Sequence, residues 1–211
     1  MRLLVCTALA AGLMTFGVRA DDPVAFWDFN DADLLPSEGS GTMHVSYTGV
    51  GVSTVGFLSG TTLNAPEGVP AGLSLGFLDL ADVFSMATIE LTLNTAGISG
   101  VGVSFALETD HLFEIDDWIK IYTSTGSGYT ERAQLSAPEL GEWQVYNVDL
   151  PWLDDAPTAK IMIVAETVVD VGKYLKVDNV TVVPEPGTVG LAAMGMLAVL
   201  GAALRQRRRR A

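Results

Sequence analysis

Oxygen-bearing side chains in two short stretches, "WDFN" and "KVDNV", are the first candidates for chemistry in this sequence. Asp28, Asn30 and Asp178 offer carboxylate and amide oxygens, which are the ligands that Ca²⁺ prefers. Neither stretch holds a full ligand set, so a calcium site requires the fold to bring both ends of the central region together. The alternative is a turn in which Asp178 and Asn179 bind nearby backbone donors.

The segment that contains Asp178 also changes its hydrophobic phase. Leu175 and Val177 share one parity, whereas Val180 and Val182 share the other. Side chains alternate across a strand, so all four can face inward only if a β-bulge follows Val177. Such a bulge would expose backbone carbonyls and turn the carboxylate of Asp178, and both groups suit calcium.

Aromatic side chains provide a second candidate, for binding rather than catalysis. In residues 118–122, Ile119 and Ile121 should face the core, which leaves Trp118, Lys120 and Tyr122 on the outer side. Aromatic faces can stack on sugar rings, so we predict a glycan-binding surface around Trp118 and Tyr122. Three further aromatics could extend it: Trp143, Trp152 and Tyr174. The alternative is that these rings pack against loops or fill the core.

The stretch "FEIDDWIK" resembles the Glu-x-Asp-x-x-Glu strand of some jelly-roll glycosidases. Glu114 and Asp116 alternate on one face, but the next positions on that face are Trp118 and Lys120 rather than a second glutamate. Glycoside hydrolysis requires two carboxylates in separate roles. We therefore predict no catalytic residues here and expect an exposed acidic loop.

Charge is distributed unevenly along the chain. Residues 21–183 contain 24 acidic and five basic side chains, a formal net charge of −19. A surface this acidic repels phosphate backbones, so we predict no nucleic-acid partner. The single cysteine, Cys6, precedes this region, so its stability must come from a hydrophobic core rather than from disulfides.

The central region, residues 21–183, has the pattern of strands separated by turns. Residues 87–94 and 100–108 alternate apolar with polar or small side chains at a period of two. Turn-forming stretches such as "STGSG" and "DDAP" separate the segments, and only "LDLADVF" (residues 78–84) suggests a helical turn. The predicted fold is an all-β, jelly-roll-like antiparallel β-sandwich. Its strands are predicted at 24–29, 43–48, 51–58, 72–77, 87–94, 100–108, 118–124, 143–150, 159–166 and 173–183.

The N-terminus has the organisation of a secretory signal peptide. Arg2 supplies the positive region and residues 3–16 the apolar stretch, and the sequence Val18-Arg19-Ala20 has small residues at the positions that signal peptidase requires. We predict cleavage after Ala20.

The C-terminus combines three features. Pro184, Glu185 and Pro186 precede the uncharged residues 188–204, which would form a transmembrane helix about 25 Å long at 1.5 Å per residue. A basic cluster then holds the end of the chain in the cytoplasm: Arg205, Arg207, Arg208, Arg209 and Arg210. Because proline lacks an N–H and has a fixed φ, we expect the triplet to remain outside helix and sheet, accessible beside the membrane.

This order of features resembles the PEP-CTERM sorting signal of Gram-negative bacteria. The resemblance implies that an exosortase recognises and cleaves the chain near Pro-Glu-Pro, after anchoring in the inner membrane, and that the product reaches the cell surface or medium. It also implies an association with exopolysaccharide and biofilm matrix. An ordinary single-pass tail anchor is the alternative.

The central region resembles the jelly-roll domains of PEP-CTERM proteins and of carbohydrate-binding modules, through "AFWDFN", "DDWIKIYTSTGSGYT", "GEWQVYNVDLP" and "YLKVDNVTVV". In related jelly rolls the first and last strands lie side by side, which would bring Asp28 and Asn30 near Asp178. We therefore expect an exported structural or glycan-interacting protein whose partners are signal peptidase, exosortase and exopolysaccharide, with structural Ca²⁺ as its one candidate cofactor. The alternatives are a calcium-dependent carbohydrate-binding module proper and a glycoside hydrolase.

Overall fold

The structure is a computed structural model, and it describes residues 23–48, 54–80, 85–110, 118–126, 128–167 and 173–184. Several predicted features lie outside these residues. They are the signal peptide (1–20), Glu114, Asp116, Glu185, Pro186, the apolar segment 188–204 and the C-terminal arginines at 205 and 207–210. Among the described residues, no helix is long and apolar enough to cross a membrane.

The described part of the chain forms strands and one 3₁₀ turn. The strands are β1 (Ala25–Trp27), β2 (Glu38–Gly39), β3 (Thr42–Thr48), β4 (Thr54–Ser59), β5 (Leu73–Leu80), β6 (Ser85–Leu93), β7 (Val101–Thr109), β8 (Trp118–Ser124), β9 (Thr130–Leu135), β10 (Gln144–Asp149), β11 (Ala159–Thr167) and β12 (Lys173–Pro184), and the turn is η1 (Pro151–Leu153). These residues confirm the predicted all-β antiparallel sandwich.

The strands form two sheets. The five-stranded sheet has the order β3-β6-β11-β8-β9. The seven-stranded sheet has the order β10-β7-β12-β1-β2, and β5 also pairs with β12 and with β4. Strand β12 is central: β7 lies along one side, while the other side pairs first with β5 and then with β1.

The core lies between the inner faces of the two sheets. Ile121 and Ile163 from the five-stranded sheet and Phe105 and Leu107 from the other are almost fully buried. The rings of Phe105 and Tyr146 are stacked with centroids 5.5 Å apart. Since burial of one such side chain is worth about 1.5–3 kcal/mol, this interface is the main source of stability in a region without cysteine.

The predicted bulge in the last strand is confirmed. Leu175, Val177, Val180 and Val182 are all buried in the core, and the register of β12 against β7 shifts between Asp178 and Thr181. Within the bulge Asn179 has a φ of 50°, in the left-handed region. Asn tolerates this conformation better than most side chains.

Three expectations about local structure were wrong. The stretch 78–80, predicted as the start of a helical turn, continues strand β5, and residues 81–84 lie outside the description. Strands β2 and β9 were not predicted. Pro184, expected outside the sheet, is the last residue of β12 and pairs with Val101. Because the β1 pairing ends at Val182, the missing N–H of Pro184 interrupts no ladder on that side.

Candidate functional site

The outward side of the five-stranded sheet is the first candidate site, and its strand β8 alternates as predicted. Ile119 and Ile121 are fully buried, whereas Trp118 is 36% exposed and Tyr122 is half-buried on the opposite side. Trp118, Lys120 and Tyr122 therefore lie on what we call the open face. Trp118 and Tyr122 are four residues apart, about 13 Å along the strand.

Neighbouring strands add polar and apolar side chains to the open face. Met162 of β11 lies opposite Tyr122 on one side and opposite Glu90 of β6 on the other. His44 of β3 lies opposite Glu90 and is exposed. The face thus carries a line of chemically varied side chains running across the strands.

A hydrogen-bonded network fixes the centre of the open face. Tyr129, next to the start of β9, donates its hydroxyl proton to Oε2 of Glu90, and Lys160 Nζ lies 3.0 Å from Oε1 of the same carboxylate. The Tyr129 hydrogen bond and, to a smaller extent, Lys160 lower the pKa of Glu90, against the opposing effect of burial. Burial and the bond to Glu90 raise the pKa of Tyr129. Glu90 is accordingly an anion held between two donors.

Sequence reasoning missed this network. The alternation of residues 87–94 indicates that Glu90 faces away from the core, but it does not reveal which strands lie beside β6. Tyr129 falls in a turn-rich stretch whose sequence carries no such signal.

The three aromatics predicted to extend the glycan surface lie elsewhere. Trp143 and Tyr174 contact Lys176 of the seven-stranded sheet, with ring centroids 5.5 and 4.6 Å from its Nζ. Trp152 lies in η1 and stacks under the guanidinium of Arg132. Trp143 precedes β10 and Tyr174 lies in β12, both strands of the seven-stranded sheet, whereas Trp152 lies in η1, outside both sheets.

The second candidate site, which we call the oxygen cluster, contains Asp28, Asn30 and Asp178. The prediction that the first and last strands lie side by side is confirmed by the pairing of β1 with β12. Asp28 follows β1 directly and lies close enough to Asp178 to raise its pKa. Asn30 accepts the N–H of Leu73 at 2.9 Å, so the loop after β1 is tied to the start of β5.

Protein donors already occupy much of the oxygen cluster. Asp178 accepts N–H groups from Thr61 at 2.7 Å and Asn179 at 2.8 Å. Asp28 accepts the Ser37 hydroxyl at 2.5 Å, and the Asn30 amide donates to its other oxygen at 3.0 Å. The described residues include no group of three or more His, Cys, Asp or Glu that could hold a metal.

Asp178 is nevertheless an unusual carboxyl group. It is almost completely buried, and desolvation raises its pKa to about 7, with a smaller contribution from Asp28, although two backbone N–H groups oppose the shift. Glycines permit this packing: a Cβ at Gly60 would collide with the Asp178 carboxylate, and one at Gly72 with the Asn30 amide. The cluster therefore joins one enclosed carboxyl group, Asp178, to a partly exposed one, Asp28.

Comparison with protein families gives one match. Residues 182–209 match the PEP-CTERM protein-sorting motif. The chain carries a PEP-CTERM sorting signal. The match begins inside β12, two residues before Pro184, so the PEP-CTERM signal overlaps the folded sheet. The motif implies export and membrane-anchored sorting, consistent with a cell-surface location. No curated protein matches the chain.

Solved structures with a similar fold include carbohydrate-binding modules. TmCBM61, solved in complex with β-1,4-galactotriose, is 13% identical, with a TM-score of 0.51 over 75% of this chain and 94% of its own. An exo-β-agarase is 12% identical, with a TM-score of 0.50 over 77% of this chain and 25% of its own. A family 11 carbohydrate-binding module of a Clostridium thermocellum cellulase is 12% identical, with a TM-score of 0.47 over 75% and 94% of the two chains. The likeness to the first two is one of fold.

Proposed function

We propose that this protein is sorted by an exosortase to the cell surface or extracellular matrix, where it binds exopolysaccharide through the open face. The observation that carries the proposal is the pair of outward aromatic side chains, Trp118 and Tyr122, on one strand of the five-stranded sheet. Aromatic rings with one apolar face and a polar edge suit sugars, which have the same dual character. The alternative is a structural matrix protein without a ligand.

Polar groups beside the aromatics support a glycan rather than an apolar partner. Lys160 and Glu90 form an ion pair at 3.0 Å, and each retains about a third of its side-chain exposure. Charged groups of this kind can donate to and accept from sugar hydroxyls. The proposed role is that of a non-catalytic binding domain.

The PEP-CTERM signal gives this domain its proposed route. Signal peptidase removes residues 1–20, the apolar segment 188–204 holds the chain in the inner membrane, and an exosortase cuts near Pro184. Since the motif match begins within β12, the cut releases the domain with almost no linker attached.

The oxygen cluster supports a narrower proposal, that Ca²⁺ binds Asp28 and Asp178 with Asn30 as a neutral oxygen. The donor chemistry fits a hard cation, because all three side chains offer oxygen and the two carboxylates repel each other. The ion would supply structural stability. The midpoint of thermal unfolding should be higher in buffer that contains calcium than in buffer with EDTA. Asp178→Asn should remove that difference. Calorimetry that detects no calcium binding would contradict the proposal.

Glycan binding is tested with the full chain in a detergent that has no sugar headgroup. Co-sedimentation with the host's exopolysaccharide should weaken about tenfold in Trp118→Ala, because one stacking ring is worth roughly 1.4 kcal/mol. Trp118→Phe keeps a ring and should retain most of the binding, and Leu140→Ala, an exposed residue outside the five-stranded sheet, should retain all of it. Equal binding by Trp118→Ala and the unchanged chain would contradict the role of the open face.

A further inference from the structure

A concave feature lies at the end of the β8–β9 hairpin. It is a pocket of about 260 Å³, lined by two glycines and by side chains that are mostly hydroxyls. Its named side chains are Thr123, Ser124, Thr125, Thr130, Arg132 and Trp152. Thr123 follows Tyr122 directly on β8, but because side chains alternate across a strand it faces away from the open face, and it is buried.

Arg132 is held in a fixed orientation within this pocket. Its guanidinium carbon lies 4.3 Å from the centre of the Trp152 ring, a cation–π contact. Its Nε donates to Oγ1 of Thr123 at 2.9 Å, and Thr123 is itself buried. A register shift in the β8–β9 pairing after Ile121 places Arg132 outside the regular alternation of β9.

The terminal nitrogens of Arg132 have no carboxylate partner in the part of the chain that the structure describes. Two other cations of the domain differ in this respect, because Lys160 pairs with Glu90 and Lys176 with Glu108. The region has 24 acidic side chains, so an arginine without an acidic partner among the described residues is unexpected. Its remaining donors point to an anionic group supplied from outside the chain.

The chemistry of the pocket indicates which kind of anionic group it can bind. A planar guanidinium matches a carboxylate through two parallel N–H···O bonds. Thr123 already accepts from Arg132 and the Ser124 hydroxyl bonds the backbone of Gly126, whereas Thr125 and Thr130 are exposed and their hydroxyls can donate and accept, as sugar hydroxyls do. Trp152 is 51% exposed and offers an apolar surface beside them. We propose that the pocket binds a uronic-acid residue, with its carboxylate on Arg132 and its ring hydroxyls on Thr125 and Thr130.

The charge of the whole domain restricts the polymer that carries this sugar. A net charge of −19 repels a densely charged polyanion. Charges more than about 10 Å apart are largely screened at physiological salt. The fitting ligand is therefore a mostly neutral glycan with isolated uronic-acid residues. This inference rests on the proposed glycan binding and deepens it, yet it uses side chains other than Trp118 and Tyr122.

The test compares two matched probes, methyl glucuronide and methyl glucoside, titrated against the full chain in a detergent without a sugar headgroup, with binding followed by NMR. The glucuronide should bind at least tenfold more tightly, since only it carries the carboxylate. Arg132→Gln should remove this preference, and Arg132→Lys should recover only part of it, because lysine lacks the planar fork. Thr130→Val leaves the charge of Arg132 in place but removes one hydroxyl, and it should weaken binding of the glucuronide about threefold.

Each opposing result has a defined meaning. Equal affinity for the two probes, or a preference that survives Arg132→Gln, would overturn the proposal, as would tighter binding of a glucose sulfate than of the glucuronide. If Arg132→Gln unfolds, the Thr130→Val result decides. Glucuronide binding without any binding of neutral polysaccharide would contradict the open-face function and support the pocket. Binding of neutral polysaccharide without glucuronide binding would contradict the pocket and support the open-face function.

Discussion

The outer faces of the two sheets differ in what covers them. On the five-stranded sheet, Trp118, Met86 and Tyr129 retain 36–38% exposure, and the ion pair of that face is partly solvated. On the seven-stranded sheet, residues 60–72 fold over β12 and β7. Asn64 and Asn179 fasten this covering segment by hydrogen bonds of 2.6–2.9 Å to backbone carbonyls.

The covered face buries polar groups that the open face leaves in water. All nine residues of β7 are buried, including Ser104 and Glu108 on its outer side. Buried polar groups must be fully paired, and these are: Glu108 accepts from Lys176 at 2.9 Å and from Tyr174 at 3.0 Å. The outer side of the seven-stranded sheet therefore contributes to stability, whereas the outer side of the five-stranded sheet is the one proposed to bind a ligand.

The largest predicted effect on stability comes from the buried ion pair Glu108–Lys176, in contrast to the exposed pair Glu90–Lys160. Glu108→Ala should lower the free energy of unfolding by about 3–4 kcal/mol, because Lys176 then stays buried without its partner. Urea denaturation measures the loss. The double variant Glu108→Ala/Lys176→Met should recover much of it, and a loss below 1 kcal/mol in the single variant would mean that water reaches this side of the sheet.

The pH dependence of stability tests the enclosed carboxyl of the covered face. Asp178 has a folded pKa of about 7, above the ordinary 3.8, so the folded state holds a proton that the unfolded state has released. The contribution to stability is full below about pH 4 and declines as the pH rises toward 7. Between pH 5 and pH 7 in calcium-free buffer the decline should be on the order of 2 kcal/mol, at about 1.4 kcal/mol per unit.

Asp178→Asn is the control for this slope. The amide cannot titrate, so thermal unfolding of the variant should lose the decline between pH 5 and pH 7. If the slope is unchanged in Asp178→Asn, the pH dependence comes from other titratable groups. The carboxyl of Asp178 would then not be as enclosed as the structure shows.

Tyr129→Phe tests the network of the open face. The substitution removes the hydroxyl that contributes most to lowering the pKa of Glu90, so that pKa should rise. Stability should fall by only about 1 kcal/mol, because the hydrogen bond lies near solvent. NMR titration of the Glu90 carboxyl carbon measures the shift, and an unchanged titration would show that the hydrogen bond does not persist in solution.

The smallest effect is expected for the exposed ion pair. Glu90→Gln should change the free energy of unfolding by less than about 1 kcal/mol, because surface pairs gain little in water. The same denaturation experiment applies as for Glu108→Ala. A loss as large as that of Glu108→Ala would mean that both faces are equally important for stability.

Local features of this fold followed from the sequence because they depend on alternation. Side chains alternate with a period of two within one strand, so Ile119 faces the core and Trp118 faces outward. The same period requires the bulge after Val177. The adjacency of β1 and β12 came from a resemblance to jelly rolls rather than from this pattern.

Relations between distant strands were not predictable from the sequence. The pocket joins Arg132 to Trp152, and the buried ion pair joins Glu108 to Lys176. Nothing in the local pattern of β7 distinguishes Glu108 from an exposed acid, because its burial depends on a partner 68 positions away. Such pairs require the strand order, which alternation does not specify.

Strand β12 has a consequence for the order of events during export. It is the last strand of the domain and also the centre of the seven-stranded sheet, where Val180 pairs with Trp27 at the opposite end of the domain. A chain threaded from its N-terminus cannot assemble this sheet until residues up to Pro184 have emerged. Long-range pairing of this kind is slow to form. Folding of the sheet therefore finishes only when β12, including the first residues of the sorting motif, is available to pair with β1.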